Sequence, residues 1–170
     1  YLQEGLVVIV APLISLMEDQ VSSLLSFGEK RAVALNSTLK DFEKGYILQR
    51  LEQFKFLFLS PEMLSQPHVL QRLKQQKIAL FVVDEAHCVS QWGIDFRPEY
   101  RNLGVIKAEL NHPVTLALTA TANAQVEADI KRFLIGEETI VFRQSANRSN
   151  IALLVEKTTD KEAVLEETLK

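Results

Sequence analysis

Cysteine is almost absent from this sequence, which has only Cys88 among its 170 residues. One cysteine excludes an internal disulfide and a zinc site of four thiolates. We expect Cys88 to be a buried small apolar residue and not a reactive thiol. No apolar run approaches the ~20 residues that span a bilayer, and no signal peptide opens the chain. With 47% hydrophobic and 24% charged residues, the composition predicts a soluble intracellular domain.

The sequence also lacks a large excess of charge and a glycine-rich phosphate loop. Its formal net charge of −3 does not indicate a nucleic-acid-binding protein, although basic residues can still cluster locally. A P-loop requires the pattern G-x-x-x-x-G-K-[ST]. None of the six glycines is followed by lysine, so these 170 residues contain no P-loop. The glycines are Gly5, Gly28, Gly45, Gly93, Gly104 and Gly136.

Apolar runs of strand length alternate with stretches of helical periodicity. Strands are predicted at 6–11, 32–35, 56–59, 78–83, 114–118 and 140–142, and helices at 13–27, about 38–51, 62–75, 98–110 and 123–134. The second helix is predicted to begin with Ser37 or Thr38 as its cap. Its inward residues are predicted to include Phe42, Tyr46, Leu48 and Leu51. This repeated alternation predicts an α/β fold with a doubly wound, mainly parallel sheet.

Two acidic residues, Asp84 and Glu85, directly follow the unbroken apolar run Ile78–Val83. Such a run is typical of a parallel strand buried on both faces, and open α/β sheets bind ligands at the carboxyl ends of these strands. A carboxylate pair there suits Mg²⁺, which prefers oxygen ligands, and a base for an attacking water. The alternative is a simple helix N-terminus, where the macrodipole favours negative charge.

An aromatic stretch follows at Ser90–Tyr100 and includes Trp92, Phe96 and Arg97. Aromatic rings stack on unpaired nucleic-acid bases for about 1–3 kcal/mol each, and arginine adds phosphate or cation–π contacts. The alternative is that Trp92 and Phe96 pack into the core as apolar residues. Both interpretations stay open for Phe96, whereas for Trp92 and Arg97 we favour the interpretation that they contact DNA.

Polar residues follow three other predicted strands. They are Pro12, Ser15 and Gln20 after the first strand, Asn36, Ser37 and Thr38 after the second, and Ser60 and Pro61 after the third. Hydroxyl groups and helix N-termini bind phosphate readily. Each group has helix capping as an alternative, but three of them at one edge of one sheet favour a groove that follows a nucleic-acid backbone.

Residues 84–100, DEAHCVSQWGIDFRPEY, resemble motif II and the aromatic-rich loop of the RecQ helicases. Further segments resemble motifs of that family in the same order: APLISLMEDQ at 11–20, LNST at 35–38, LSPEML at 59–64, LALTATA at 116–122 and NRSNI at 147–151. The last motif usually reads NRPN, so Ser149 replaces a proline. The resemblance covers nearly the whole chain and implies a RecA-like (P-loop NTPase) helicase domain that is truncated at its N-terminus.

The resemblance implies a role for each motif residue. Asp84 would hold Mg²⁺ through water, and Glu85 would orient and deprotonate the water that attacks the γ-phosphate of ATP. His87 would relay the nucleotide state, with a core histidine as the alternative. Thr119 and Thr121 would couple hydrolysis to movement, and Thr121 or Asn123 would also cap the next helix. The residues implied to contact DNA are Pro12, Ser15, Gln20, Asn36, Ser37, Thr38, Ser60, Pro61, Gln91, Trp92, Phe96 and Arg97.

The resemblance also divides the chain. Residues 1–142 would form the first RecA-like domain, with motifs Ia to III and no P-loop, 143–150 a linker, and 151–170 the start of a second RecA-like domain. The P-loop segment and the second motor domain would then be partners from the same longer chain. Because the P-loop strand is interior in RecA-like sheets, we expect its absence to leave two neighbouring strands unpaired or collapsed onto each other. The 170-residue chain would then be marginally stable, aggregated or self-paired.

These expectations describe part of an ATP-dependent DNA helicase that moves 3′ to 5′ on single-stranded DNA and unwinds partly duplex DNA in recombination and repair. Its cofactors would be ATP and Mg²⁺, with no zinc in this segment and no membrane partner. We expect it in the bacterial cytoplasm with the nucleoid, or in a nucleus. Two alternatives stay open: a non-catalytic nucleic-acid-binding module that has lost its P-loop, and a superfamily 2 motor acting on RNA.

Overall fold

Five short apolar strands form one parallel sheet in the order β2-β3-β1-β4-β5. The strands are β1 (Leu6–Val10), β2 (Ala32–Leu35), β3 (Phe56–Leu59), β4 (Ile78–Val83) and β5 (Thr115–Ala117). The computed structural model describes residues 3–144, 150, 151 and 157. The chain separates into two compact units, Tyr1–Thr139 and Ile140–Lys170, and the first contains the whole sheet. The predicted parallel α/β sheet is confirmed.

Seven α-helices connect or follow the strands in the described residues. They are α1 (Ile14–Ser26), α2 (Asp41–Gln49), α3 (Pro61–Leu64), α4 (Pro67–Leu73), α5 (Pro98–Arg101), α6 (Leu103–Glu109) and α7 (Ala124–Ile130), which continues as a π-helical turn at Lys131–Ile135. Two helices predicted as continuous are interrupted. Pro67 starts α4 after the extended residue Gln66 because proline has no N–H to continue a helix. Asn102 separates α5 from α6, and its N–H bonds to Glu99 three residues back.

Side chains of the central strand alternate between two cores on opposite faces of the sheet. Val8 and Val10 are fully buried in the larger core, to which helices α2 to α7 all contribute. Ile9 points to the other face and packs near Phe58 and the buried Met17 of α1. Helices therefore cover both faces of the sheet, as a doubly wound fold requires. None of the described helices is both long and apolar enough to cross a membrane.

The inward face predicted for α2 is partly wrong. Leu48 and Leu51 are buried, but Phe42 and Tyr46 are exposed. The helix begins later than predicted, at Asp41, and the carboxylate of Glu43 accepts the backbone N–H of Lys40 at its start. Ile47 and Leu48 are the buried residues of α2, whereas Phe42 and Tyr46, four positions apart, share another face of the helix. The predicted cap at Ser37 or Thr38 is also wrong.

Among the described residues the sheet has no gap: neighbouring strands are not left unpaired but pair directly with one another. Both β1 and β4 pair on two sides, so the sheet is continuous, and β5 pairs only with β4. Leu116 lies beside Val82 and Ile9 on the face that carries α1, yet Leu116 is exposed. Val114 and Leu118 are exposed with it. In the described part of the chain, the sheet therefore has an open apolar edge at β5.

Residues 140–142 do not form the predicted last strand. Three residues form a strand only beside a paired neighbour, and no strand pairs with this segment in the described part of the chain. The linker motif at 147–149 and most of the predicted second domain at 151–170 lie outside the described residues. The domain division stays a prediction.

We predict that the 170-residue chain self-associates through the exposed face and open edge of β5. Unpaired strand edges and apolar patches favour association, so Val114→Glu should shift the chain towards monomer in size-exclusion chromatography with light scattering. Val105→Glu on α6 is a matched control, because Val105 is 62% exposed and Val114 is 69% exposed. A wild-type chain that stays monomeric at high concentration, or an equal effect of both substitutions, would contradict the prediction.

Candidate functional site

The carboxyl ends of all five strands lie side by side, because every strand pair is parallel. Across this edge the polar segments follow the strand order. They are Asn36–Thr38 after β2, Ser60–Pro61 after β3, Pro12–Ser15 after β1, Asp84–Glu85 after β4 and Thr119–Thr121 after β5. The sheet thus places these five segments at one edge, with the acidic pair between the β1 and β5 segments.

The acidic pair sits on a tight turn at the end of β4. The N–H of Asp84 donates to Val10 of β1 at 2.9 Å, and its Oδ1 accepts the N–H of Glu85 at 2.9 Å. Glu85 has φ 49° and ψ 44°, a left-handed conformation that costs a non-glycine residue on the order of 1–2 kcal/mol. The next four residues, Ala86–Val89, form a 3₁₀ turn, and the Glu85 side chain does not cap it. Glu85 thus precedes a short 3₁₀ helix, as the helix-terminus alternative expects, but without a side-chain cap.

His87 links the acidic pair to the end of β5. Its Nδ1 lies 3.1 Å from Oε2 of Glu85 and 3.0 Å from Oγ1 of Thr119. The same Thr119 hydroxyl oxygen accepts the N–H of Thr121 at 3.2 Å. Because one ring nitrogen faces both oxygens, a proton on Nδ1 can be directed towards either strand end. His87 is also buried, so the burial expected of a core histidine and the contacts expected of a relay occur in one residue.

The donor set around Asp84 fits a magnesium ion that takes most of its ligands from phosphate and water. No group of three or more acidic, histidine or cysteine side chains that could hold a metal occurs among the described residues. Mg²⁺ in nucleotide sites commonly uses one or two carboxylates, several waters and the substrate phosphates. The half-buried carboxylate of Asp84, at a ligand-binding strand end, meets that requirement.

The aromatic loop, residues Ser90–Arg97, is exposed at its middle and partly buried at its C-terminal end. Trp92 is 72% exposed and Ile94 is 83% exposed, so the core-packing alternative is wrong for Trp92. Phe96 is half-buried, with the guanidinium of Arg101 5.1 Å from its ring centre. The two aromatic side chains therefore differ: Trp92 is free to stack on a ligand, and Phe96 is held by a cation–π contact.

Arg97 joins the aromatic loop to the end of β1. Its Nη1 donates to the carbonyl oxygen of Pro12 at 3.2 Å, and its backbone N–H donates to Cys88 at 2.9 Å. Asp95 lies 3.3 Å from its Nε.

Burial, together with the carboxylate of Asp95, raises the pKa of the Cys88 thiol to about 11. Cys88 is therefore protonated at neutral pH and confirmed as a buried, unreactive residue.

Tyr100 is a site residue that the sequence did not identify as part of the acidic turn. Its hydroxyl donates to the backbone carbonyl of Asp84 at 3.0 Å, and its ring is fully buried. Burial is the main cause of the raised pKa of this phenol. The two residues are 16 positions apart. In the sequence, the only sign of this contact is that both lie within the matched segment from DEAH to FRPEY.

The remaining strand-end residues divide by exposure. Asn36 is buried, and its Oδ1 accepts both the N–H and the hydroxyl of Thr38, at 3.0 and 2.7 Å. Ser60 caps α3 through the N–H of Met63 at 3.2 Å, and Asn123 caps α7 in the same way at 2.9 Å. The side chains that face solvent are those of Ser15, Gln20, Ser37, Thr38 and Gln91, whereas Pro12 is half-buried and Pro61 is buried.

Relatives of this chain carry helicase names. A protein named "Probable ATP-dependent DNA helicase RecS" from Bacillus subtilis (strain 168) is 51% identical over 160 residues, which are 94% of this chain and 32% of that protein. The "ATP-dependent DNA helicase RecQ" of the same strain is 39% identical over 168 residues, 96% of this chain and 28% of that protein. The chain spans about a third or less of these relatives.

Solved structures support the fold. The helicase domain of Pyrococcus furiosus Hef superposes with a TM-score of 0.60 at 20% identity, covering 78% of this chain and 28% of that chain. The DUF1998 helicase MrfA bound to DNA gives a TM-score of 0.56 at 12% identity, covering 76% of this chain and 20% of that chain. The family model described as DEAD/DEAH box helicase matches residues 2–130. This chain belongs to the DEAD/DEAH box helicase family.

Proposed function

We propose that this chain is the part of a RecQ-type, ATP-dependent DNA helicase that connects DNA contact to ATP hydrolysis. The proposal rests on the contacts of His87, which join the acidic turn after β4 to Thr119 after β5. The aromatic loop begins three residues after His87, and Arg97 fastens it to β1. One edge of the sheet thus brings together a carboxylate pair, a hydroxyl-bearing strand end and an exposed tryptophan.

The chemistry at this edge would be hydrolysis of ATP. Mg²⁺ would supply charge neutralisation between the β- and γ-phosphates when bound. Asp84 would hold it through water, and Glu85, which lies in the left-handed turn, would orient and deprotonate the attacking water. The P-loop and an arginine finger would come from other parts of a longer protein. Thr119 and Thr121 would pass the state of Glu85 to the helix that follows.

The remaining strand-end residues would follow the phosphate backbone of single-stranded DNA. Hydroxyl and amide side chains bind phosphate without reading sequence. Trp92 would stack on an unpaired base and Arg97 would sense its arrival. The whole protein would then translocate 3′ to 5′ and unwind partly duplex DNA in recombination and repair, in the bacterial cytoplasm or a nucleus.

We predict that Glu85→Gln abolishes ATP hydrolysis in a longer protein that joins this chain to its P-loop segment and second motor domain. Loss of a positioned general base typically lowers rate by about 10²–10⁴-fold. Glu52→Gln is the control, because Glu52 is exposed and precedes β3 at the opposite edge of the sheet. The 170-residue chain alone should release no phosphate from ATP. Phosphate release by that chain that disappears in Glu85→Gln would contradict its expected inactivity. An unchanged rate of hydrolysis in Glu85→Gln of the longer protein would contradict the role assigned to Glu85.

We also predict that Trp92→Ala uncouples DNA from ATP hydrolysis in the same longer protein. DNA-stimulated ATPase should fall ten-fold or more, a barrier increase of about 1.4 kcal/mol, while affinity for single-stranded DNA falls less. Ile94→Ala is the matched control, because Ile94 is the other exposed apolar residue of the loop.

The melting temperature separates this role from packing. A core tryptophan would cost roughly 3–5 kcal/mol of stability on truncation, whereas an exposed Trp92 should leave the melting temperature unchanged. Equal loss of activity in Ile94→Ala would contradict sensing by Trp92. If RNA but not DNA stimulates ATP hydrolysis by the longer protein, the RNA-directed alternative is favoured.

A further inference from the structure

The aromatic loop begins with a buried hydrogen bond to a helix that is distant in sequence. The hydroxyl of Ser90 donates to Oδ2 of Asp129 on α7 at 2.6 Å, across 39 positions. Ser90 is fully buried and Asp129 is nearly so. A hydroxyl-to-carboxylate bond of this length is charge-assisted and stronger than a neutral one. Because burying a carboxylate without a partner is costly, the bond constrains both residues.

The same hydroxyl holds the backbone of Trp92. Its oxygen accepts the N–H of Trp92 at 3.1 Å. A serine hydroxyl has one proton, so donating it to Asp129 directs the oxygen lone pairs elsewhere. The carboxylate therefore orients the hydroxyl, and the hydroxyl fixes the backbone from which the indole projects. The next residue, Gly93, lies close against the 3₁₀ turn and has no space for a side chain, because a Cβ there would lie 2.6 Å from the carbonyl oxygen of His87.

The far end of the loop is attached to the same helical segment. Arg101 lies between two rings, 5.1 Å from the centre of Phe96 and 4.8 Å from the centre of Phe133 in the π-helical turn after α7. Its Nε also donates to Val89 at 3.3 Å. Both ends of the loop are thus fastened to residues 124–135, while Trp92 remains exposed. That segment begins at its cap Asn123, two residues after Thr121.

We propose that Asp129 is a positioning residue for the aromatic loop: through Ser90 it fixes Trp92 relative to α7, the helix that follows the β5 end. This inference rests on the proposed function, since it assigns how the DNA-sensing tryptophan is held ready. Asp129 touches neither DNA nor nucleotide in this scheme. A loop held in its binding geometry loses less conformational freedom when DNA binds.

Trp92 provides a direct readout because it is the single tryptophan of the chain. We expect Asp129→Ala and Ser90→Ala to increase the amplitude of fast depolarisation in time-resolved fluorescence anisotropy by at least about two-fold, as for a rigid segment that becomes flexible. Titration with an oligothymidylate, followed by Trp92 fluorescence, should give a Kd about five-fold higher, as expected for loss of one hydrogen bond.

Three further variants separate positioning from general structural support. Asp129→Asn keeps an oxygen acceptor for Ser90 but makes the bond neutral and weaker, so Trp92 mobility should lie between those of the wild type and Asp129→Ala. The double variant Ser90→Ala with Asp129→Ala should be no more mobile than either single variant, because both remove one interaction. Glu127→Ala removes a carboxylate from the same helix, where it pairs with Lys131 at 2.8 Å, and should leave Trp92 mobility unchanged.

Unchanged depolarisation in both Ser90→Ala and Asp129→Ala would overturn the proposal, as would equal mobility in Glu127→Ala. An Asp129→Asn variant whose Trp92 is as mobile as in Asp129→Ala would also overturn it. If a single variant does not fold, the double variant Ser90→Ala with Asp129→Ala decides, because it removes the carboxylate together with its hydrogen-bond donor. A wild-type chain whose Trp92 fluorescence does not respond to oligothymidylate would count against the proposed DNA function, while the mobility measurements without DNA would still decide the role of Asp129.

Discussion

The pairing of β4 with β1 is the interaction on which the candidate site depends. Each residue of β1 from Val7 to Val10 lies beside a residue of β4, and the ladder continues into the site because the N–H of Asp84 donates to Val10. The acidic turn is therefore an extension of the most buried part of the sheet. A carboxylate anchored to the central strands does not have to be ordered when nucleotide arrives, so little binding energy is spent on arranging it.

The left-handed turn at Glu85 is held by contacts from outside its own strand. Tyr100 donates from below to the carbonyl of Asp84, and the N–H of Ala86 donates to Leu118 beyond β5. A strained backbone persists only where its surroundings over-determine it. Here α5 and the end of β5 supply those constraints, so the position of Glu85 depends on the elements that carry the aromatic loop and the threonine pair. Under the proposed function, this dependence would provide a physical route between DNA contact and hydrolysis.

Much of the sheet was predictable from the sequence, because buried parallel strands produce unbroken apolar runs such as IALFVV. The motifs at the strand ends followed from the same reasoning, since parallel strands end at one edge. Helix faces were less predictable: Phe42 and Tyr46 are predicted to be core residues, but both lie on an exposed face of α2. The bonds from Ser90 to Asp129 and from Tyr100 to Asp84 leave no periodic signal, because each joins residues from different elements whose approach is set by tertiary packing.

The charge of the proposed DNA-binding residues limits how this edge would hold a strand. Of the twelve residues proposed to contact DNA, only Arg97 is charged, and its guanidinium already donates to Pro12. Neutral donors exchange hydrogen bonds with water and release few counterions, so they add little to the salt-dependent part of DNA affinity. Stacking by Trp92 is also largely independent of salt. An edge built in this way would register the arrival of a base without gripping the backbone tightly, which suits a motor domain that must release and re-engage its track in each cycle.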